Sequence, residues 1–82
     1  MPTVTIYTKP NCPLCDEALE QVELARPQTP FDLEEINILN DPVLYDRYKN
    51  AIPVVLVNGE EAFRYRLTAP ALLKFLGACG QQ

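Results

Sequence analysis

Eighty-two residues suffice for one compact domain and are too few for two, so most apolar side chains have to be spent on packing. With 48% hydrophobic and 22% charged residues, the composition is that of a folded chain and excludes extended disorder. Seven basic against eleven acidic side chains leave a net charge of −4, with the cations scattered, which argues against nucleic acid as a partner.

The first element is "TVTIYT" (3–8), a short β-branched run bounded by "KPNCP", and it reads as a buried strand. From Pro13 the period changes: Cys15, Ala18, Leu19 and Val22 recur at helical spacing while Asp16, Glu17, Glu20 and Glu23 take the remaining surface. Pro13 suits a first helical turn, where a missing N–H costs nothing, and "RPQTP" (26–30) ends the helix. "FDLEEINIL" (31–39) reads as a strand whose apolar parity switches between Phe31/Leu33 and Ile36/Ile38, which predicts a bulge or bend near Glu34–Glu35.

"NDPVLYDRYKN" (40–50) predicts a short helix with Asp41 as N-cap and Pro42 at its first position. "IPVVLVNGEEAFRYRL" (52–67) reads as a hairpin turning at Asn58–Gly59, with Phe63 and Tyr65 alternating with Arg64 and Arg66. Thr68 can cap a last helix through about Ala78, with Leu72, Phe75, Leu76 and Cys79 on one stripe; this predicts Cys79 to be a packing residue. The order β-α-β-α-β-β-α makes residues 1–82 a single α/β domain with a mixed four-stranded sheet.

No apolar run reaches membrane-spanning length, and "MPTVTIY" lacks a basic segment followed by a long apolar one. A soluble cytoplasmic monomer, with no membrane or nucleic-acid partner, is the expectation. In a reducing compartment, three cysteines with two of them close together point to redox or metal chemistry rather than to a stapled scaffold.

Cys12 falls at the open N-terminal end of the first predicted helix, where unpaired backbone N–H groups and the positive end of the dipole favour a thiolate. Cys15 comes one turn later on the packing stripe, which makes Cys12 the nucleophile and Cys15 the resolving thiol of a dithiol pair. Lys9 lowers the Cys12 pKa and Asp16 raises it; with the helix end on the side of Lys9, the value is expected below about 8.5 but above the extreme of about 3.5. Metal or iron–sulfur binding and redox sensing remain as alternative uses of the pair. A zinc site is hard to complete, because the chain has no histidine and Cys79 is the only further thiol.

The stretch "YTKPNCPLC" resembles the active-site segment of glutaredoxins, within the thioredoxin superfamily, and "IPVVLVNGE" resembles the family segment whose proline is cis and faces the cysteines. The resemblance implies a thioredoxin-like, glutaredoxin-type fold with helices on both faces of the sheet, and a thiol-disulfide oxidoreductase serving electron transport. It further implies that Pro53 is cis and that Ile52 and Pro53 dock an extended substrate. Tyr7 is expected to pack, with its place just before Lys9 leaving room for a role of both at the substrate groove. No metal and no organic cofactor are expected, and glutathione enters only as a candidate reducing co-substrate. The partners expected are a disulfide-containing protein or a glutathione mixed disulfide, with electrons supplied by a dithiol reductase or by glutathione. Where glutaredoxins usually carry a glycine-rich segment and an acid that receives part of glutathione, this chain has "FRYRLTAPAL", with neither. Arg64 and Arg66 are candidate partners for a substrate carboxylate.

Overall fold

In a computed structural model, which describes residues 2–80 and the side chains through Gly77, the chain forms seven principal elements. They are β1 (Thr3–Thr8), α1 (Pro13–Ala25), β2 (Asp32–Asn37), α2 (Pro42–Tyr48), β3 (Val54–Val57), β4 (Glu60–Arg64) and α3 (Ala69–Gly80), with a 3-10 turn at Ile38–Asn40. The sheet runs β2-β1-β3-β4; β1 pairs parallel with β2 and antiparallel with β3, which pairs antiparallel with β4.

Alternation along the two central strands divides the apolar side chains into two cores. Val4, Ile6, Val55 and Val57 point to one face, where they pack with Ala18, Val22 and Ala25 of α1 and Leu72 and Leu76 of α3. Val54 and Leu56 point to the other, where they meet Tyr48 of α2, Ile38, Ala51 and Ile52. The helices thus cover both faces, as the glutaredoxin-type architecture requires.

Local chemistry opens α2 and turns the hairpin where the sequence predicts. Pro42 opens α2, and the Asp41 carboxylate accepts from the amides of Val43 (2.9 Å) and Leu44 (3.3 Å), satisfying two first-turn donors. At the hairpin, Asn58 and Gly59 have φ of 52° and 85°, the left-handed pair a tight turn needs. Asn58 also ties that turn to β1: its amide donates to the Thr3 carbonyl (2.8 Å), and its side-chain oxygen accepts from the Thr3 amide (3.0 Å).

Two expectations about register are corrected. The pairing of β1 with β2 runs unbroken from Thr3–Asp32 to Thr8–Asn37, so Glu34–Glu35 carries no bulge. Buried Phe31 precedes the strand and buried Ile38 sits in the 3-10 turn after it, and neither is bound by the strand's period of two. The irregularity lies instead between Val55 and Leu56, whose partners are Phe63 and Glu61, leaving Ala62 as the extra residue. The second hairpin strand also stops at Arg64, short of the predicted 67. The Cys79 side chain lies outside the described residues.

Leu72 is fully buried between α3 and the sheet, whereas Leu24 is 57% exposed on α1. Urea unfolding should therefore show Leu72→Ala losing about 2–5 kcal/mol and Leu24→Ala less than about 0.5 kcal/mol.

Candidate active site

The turn from β1 into α1 passes through Asn11, whose φ of 59° is tolerated because asparagine enters the left-handed region more readily than most residues. Cys12 then takes an extended conformation as N-cap of α1, and Pro13 follows in the first turn. The cap is sulfur: Cys12 Sγ accepts from the Cys15 amide at 3.2 Å, while the Cys12 carbonyl accepts the first helical bond from the Asp16 amide at 3.1 Å. Cys12 and Cys15 are joined as a disulfide, with Cα atoms 5.2 Å apart, within the range natural disulfides span.

The two cysteines differ in burial as predicted, though less sharply. Cys15 is 2% exposed; Cys12 is half-buried, not fully exposed, and packs against the same apolar cluster. That cluster belongs to the α2 face of the sheet, so Cys15 parts from the Ala18–Val22 stripe on which helical spacing had put it. Tyr7 packs here too, its ring 5.0 Å from that of Tyr48 and tilted by 46°. Burial first, then the neighbouring Tyr48 and Glu34, push the Tyr7 hydroxyl above its ordinary pKa, with Arg47 pulling the other way.

The Ile52–Pro53 bond is cis. Ile52 joins Tyr7 and both cysteines in the cluster, while Pro53 is fully buried. The backbone here is largely engaged: the Ile52 amide donates to the Tyr48 carbonyl (3.2 Å) and the Pro53 carbonyl accepts from the Tyr65 amide (2.8 Å). Lys9 is exposed and lines a polar groove with Asn11, Asp16, Glu35 and Asn37, so the two charges expected to oppose each other share one side of the pair. Arg64 forms an exposed ion pair with Glu61 on the hairpin.

On the other side of the pair, Leu14, Glu17, Ala18, Glu20 and Gln21 face Tyr65–Thr68 across a second groove. Tyr65 has a φ of 66°, uncommon for an aromatic residue, and its hydroxyl donates to the Asn50 carbonyl (3.2 Å). Gln21 and Tyr65 were not legible as site residues, because what brings them together is tertiary. Among the described residues, no three Cys, Asp or Glu side chains converge as a metal site would need.

The family model for the Glutaredoxin-like domain (DUF836) matches residues 3–77. The chain belongs to this glutaredoxin-like family. A glutaredoxin-like protein of Dictyostelium discoideum is 33% identical over 70 residues, covering 78% of this chain, which spans 65% of that protein's length. The "Probable Thioredoxin" of Methanothermobacter marburgensis is 28% identical, with 96% of this chain and 82% of that protein covered. A solved structural-genomics target from X. campestris superposes with a TM-score of 0.77 at 28% identity, over 92% of this chain and 96% of the other. Chloroplastic thioredoxin z shares the fold, with a TM-score of 0.82 at 11% identity over 100% and 80% of the two chains. A glutaredoxin-like domain carrying Cys12 and Cys15 at disulfide distance is a redox-type arrangement. No helix among the described residues is long and apolar enough to cross a membrane.

Because the Tyr7 pKa is raised on folding, the unfolded chain loses this proton first as pH climbs, and its stability contribution is full below 10.0 and lost above it. Urea titrations should show stability falling above pH 10.0, with a shallower fall in Tyr7→Phe.

Proposed function

We propose that this glutaredoxin-like domain is a thiol-disulfide oxidoreductase that reduces a disulfide-containing protein or a glutathione mixed disulfide. The observation that carries the reading is the sulfur N-cap. Cys12 occupies the one position in α1 where its sulfur receives a backbone N–H, and that donor favours the thiolate over the thiol.

In the reduced protein, the Cys12 thiolate attacks one sulfur of the substrate disulfide. A Cys12–substrate bond forms, the substrate S–S bond breaks, and the departing thiolate takes a proton from solvent. Cys15, one turn away and anchored in the apolar cluster, then attacks Cys12 Sγ, giving up its proton to solvent. The Cys12–Cys15 disulfide forms and the second substrate thiol leaves, so two electrons pass from the pair to the substrate. A dithiol reductase or glutathione returns them.

Lys9 favours the Cys12 thiolate from the solvent side. Tyr7 and Ile52 form the apolar floor beside it, and Pro53 sets the Ile52 backbone from within the core. With the Ile52 amide given to Tyr48, an extended substrate pairs with the Ile52 carbonyl. The reading includes a monomer in a reducing compartment such as the cytoplasm, needing no metal or organic cofactor.

Turnover of insulin disulfides or hydroxyethyl disulfide should be abolished in Cys12→Ser, while Cys15→Ser should accumulate a mixed disulfide on Cys12 visible by mass spectrometry. Wild-type protein inactive with both glutathione and dithiol reductants would overturn the reading. Following thiolate absorbance against pH, Cys12 should ionise below the free-thiol value of about 8.5; Lys9→Ala should raise that midpoint and Asp16→Asn lower it slightly.

A further inference from the structure

The groove of about 250 Å³ beside Leu14 is walled by α1 on one side and by the Tyr65–Thr68 segment leading into α3 on the other. A helix N-terminus opening onto a groove next to a reactive sulfur would ordinarily attract carboxylates, through its unpaired amides and its dipole. Here the amides of the first turn of α3 are all accounted for. Ala69 donates to Gln21 Oε1 (2.9 Å), Pro70 has no N–H, Ala71 donates to Thr68 Oγ1 (3.3 Å), and Leu72 donates to the Thr68 carbonyl (3.0 Å). The chain occupies its own anion position with a neutral amide supplied from α1.

The rest of the lining points the same way. Glu17 and Glu20 put two carboxylates on the α1 wall against the single cation Arg66, and Leu14, Ala18 and Leu67 supply apolar surface along which an aliphatic stem can lie. The Tyr65 ring, half exposed and tethered to Asn50, adds an aromatic wall next to which a cation is favoured. Leu14 lies between the cysteines in sequence, which sets the groove beside the pair and within reach of the flank of a disulfide exchanging at Cys12.

We propose that this groove selects the incoming disulfide by the charge of its flank, accepting a cationic side chain next to the substrate sulfur and disfavouring carboxylates, with Gln21 as the specificity-determining residue. The inference rests on thiol-disulfide exchange at Cys12 and names its substrate class: disulfides flanked by lysine or arginine, reduced in preference to the polyanionic disulfide of glutathione.

The test uses reduced Cys15→Ser protein, in which exchange stops after one step: the Cys12 thiolate bonds one half of the small disulfide and the other half leaves as thiolate. Rates with cystamine, hydroxyethyl disulfide and oxidised glutathione are measured at low ionic strength, each divided by its rate with 2-mercaptoethanol to remove intrinsic reactivity. Cystamine should exceed oxidised glutathione by about fivefold or more, with hydroxyethyl disulfide between them, and salt should compress the order.

Glu17→Gln combined with Glu20→Gln should bring the ratio towards one, and Arg66→Ala should widen it. Gln21→Ala, which uncovers the Ala69 amide, should raise oxidised glutathione relative to hydroxyethyl disulfide. Oxidised glutathione exchanging fastest, or a ratio unmoved by the glutamine pair, overturns the proposal even if Gln21→Ala does not fold. Wild-type turnover is scored separately: an inactive wild type whose Cys15→Ser form keeps the charge order sinks the oxidoreductase reading and leaves the selectivity standing.

Discussion

The first turn of α1 is gripped at both of its sulfurs, and the rest of the site takes its geometry from that grip. Cys12 stands outside the helix as its cap, receiving the Cys15 amide, while Cys15 is sealed into the apolar cluster beneath α2. Burying Cys15 removes it from solvent competition and fixes where the helix begins relative to the ends of β1 and β3. Cys12 then has little freedom left: its backbone is extended to make the cap, and its sulfur receives the Cys15 amide. Tyr7, Tyr48 and Ile52 complete a wall around the pair because they occupy the same face of the sheet.

Magnitudes decide which local charges matter. Lys9 and Asp16 are both exposed, so each acts on Cys12 through water, where a unit charge at 4 Å is worth about 1 kcal/mol and salt reduces it further. The amide at the helix end is in direct contact with the sulfur and cannot rotate away. A fixed amide contact at 3.2 Å thus weighs more on the Cys12 sulfur than two solvated side-chain charges. Glu61 and Arg64 illustrate the same hierarchy elsewhere: each shifts the other's ionisation, the carboxyl downwards and the guanidinium upwards, yet both sit in solvent on the hairpin and hold nothing of the core.

What could be read from the residues alone was what depends on neighbours in sequence. Pro13 after Cys12, Asp41 before Pro42 and Asn58 before Gly59 each carry a local mechanism, and each acts where the residues indicate. The cis Ile52–Pro53 bond was legible only through family resemblance, since nothing local distinguishes it from a trans proline opening a strand. The errors came from extending a period past the element that owns it. Phe31 and Ile38 flank β2 without belonging to it, so their parity was no sign of a bulge, and the true irregularity at Ala62 left no mark in an otherwise regular alternation. Helical spacing put Cys15 with Val22, but the end of a helix overhangs the sheet and its first turn can meet the opposite face. Gln21 looked like an ordinary surface residue because its partner, the Ala69 amide, is 48 residues away in the chain.

The two clusters of apolar side chains lie on opposite faces of one sheet and differ in what they touch. Among the described residues, the larger cluster, between α1, α3 and the sheet, includes no cysteine, and the smaller one beneath α2 contains Cys15 and touches Cys12. A cavity opened at Leu72 or Val22 costs stability away from Cys15, while one opened at Tyr48 or Ile38 costs stability and also disturbs the packing around Cys15. The lesser of the two interiors is thus the one in which packing and the Cys12–Cys15 pair are linked.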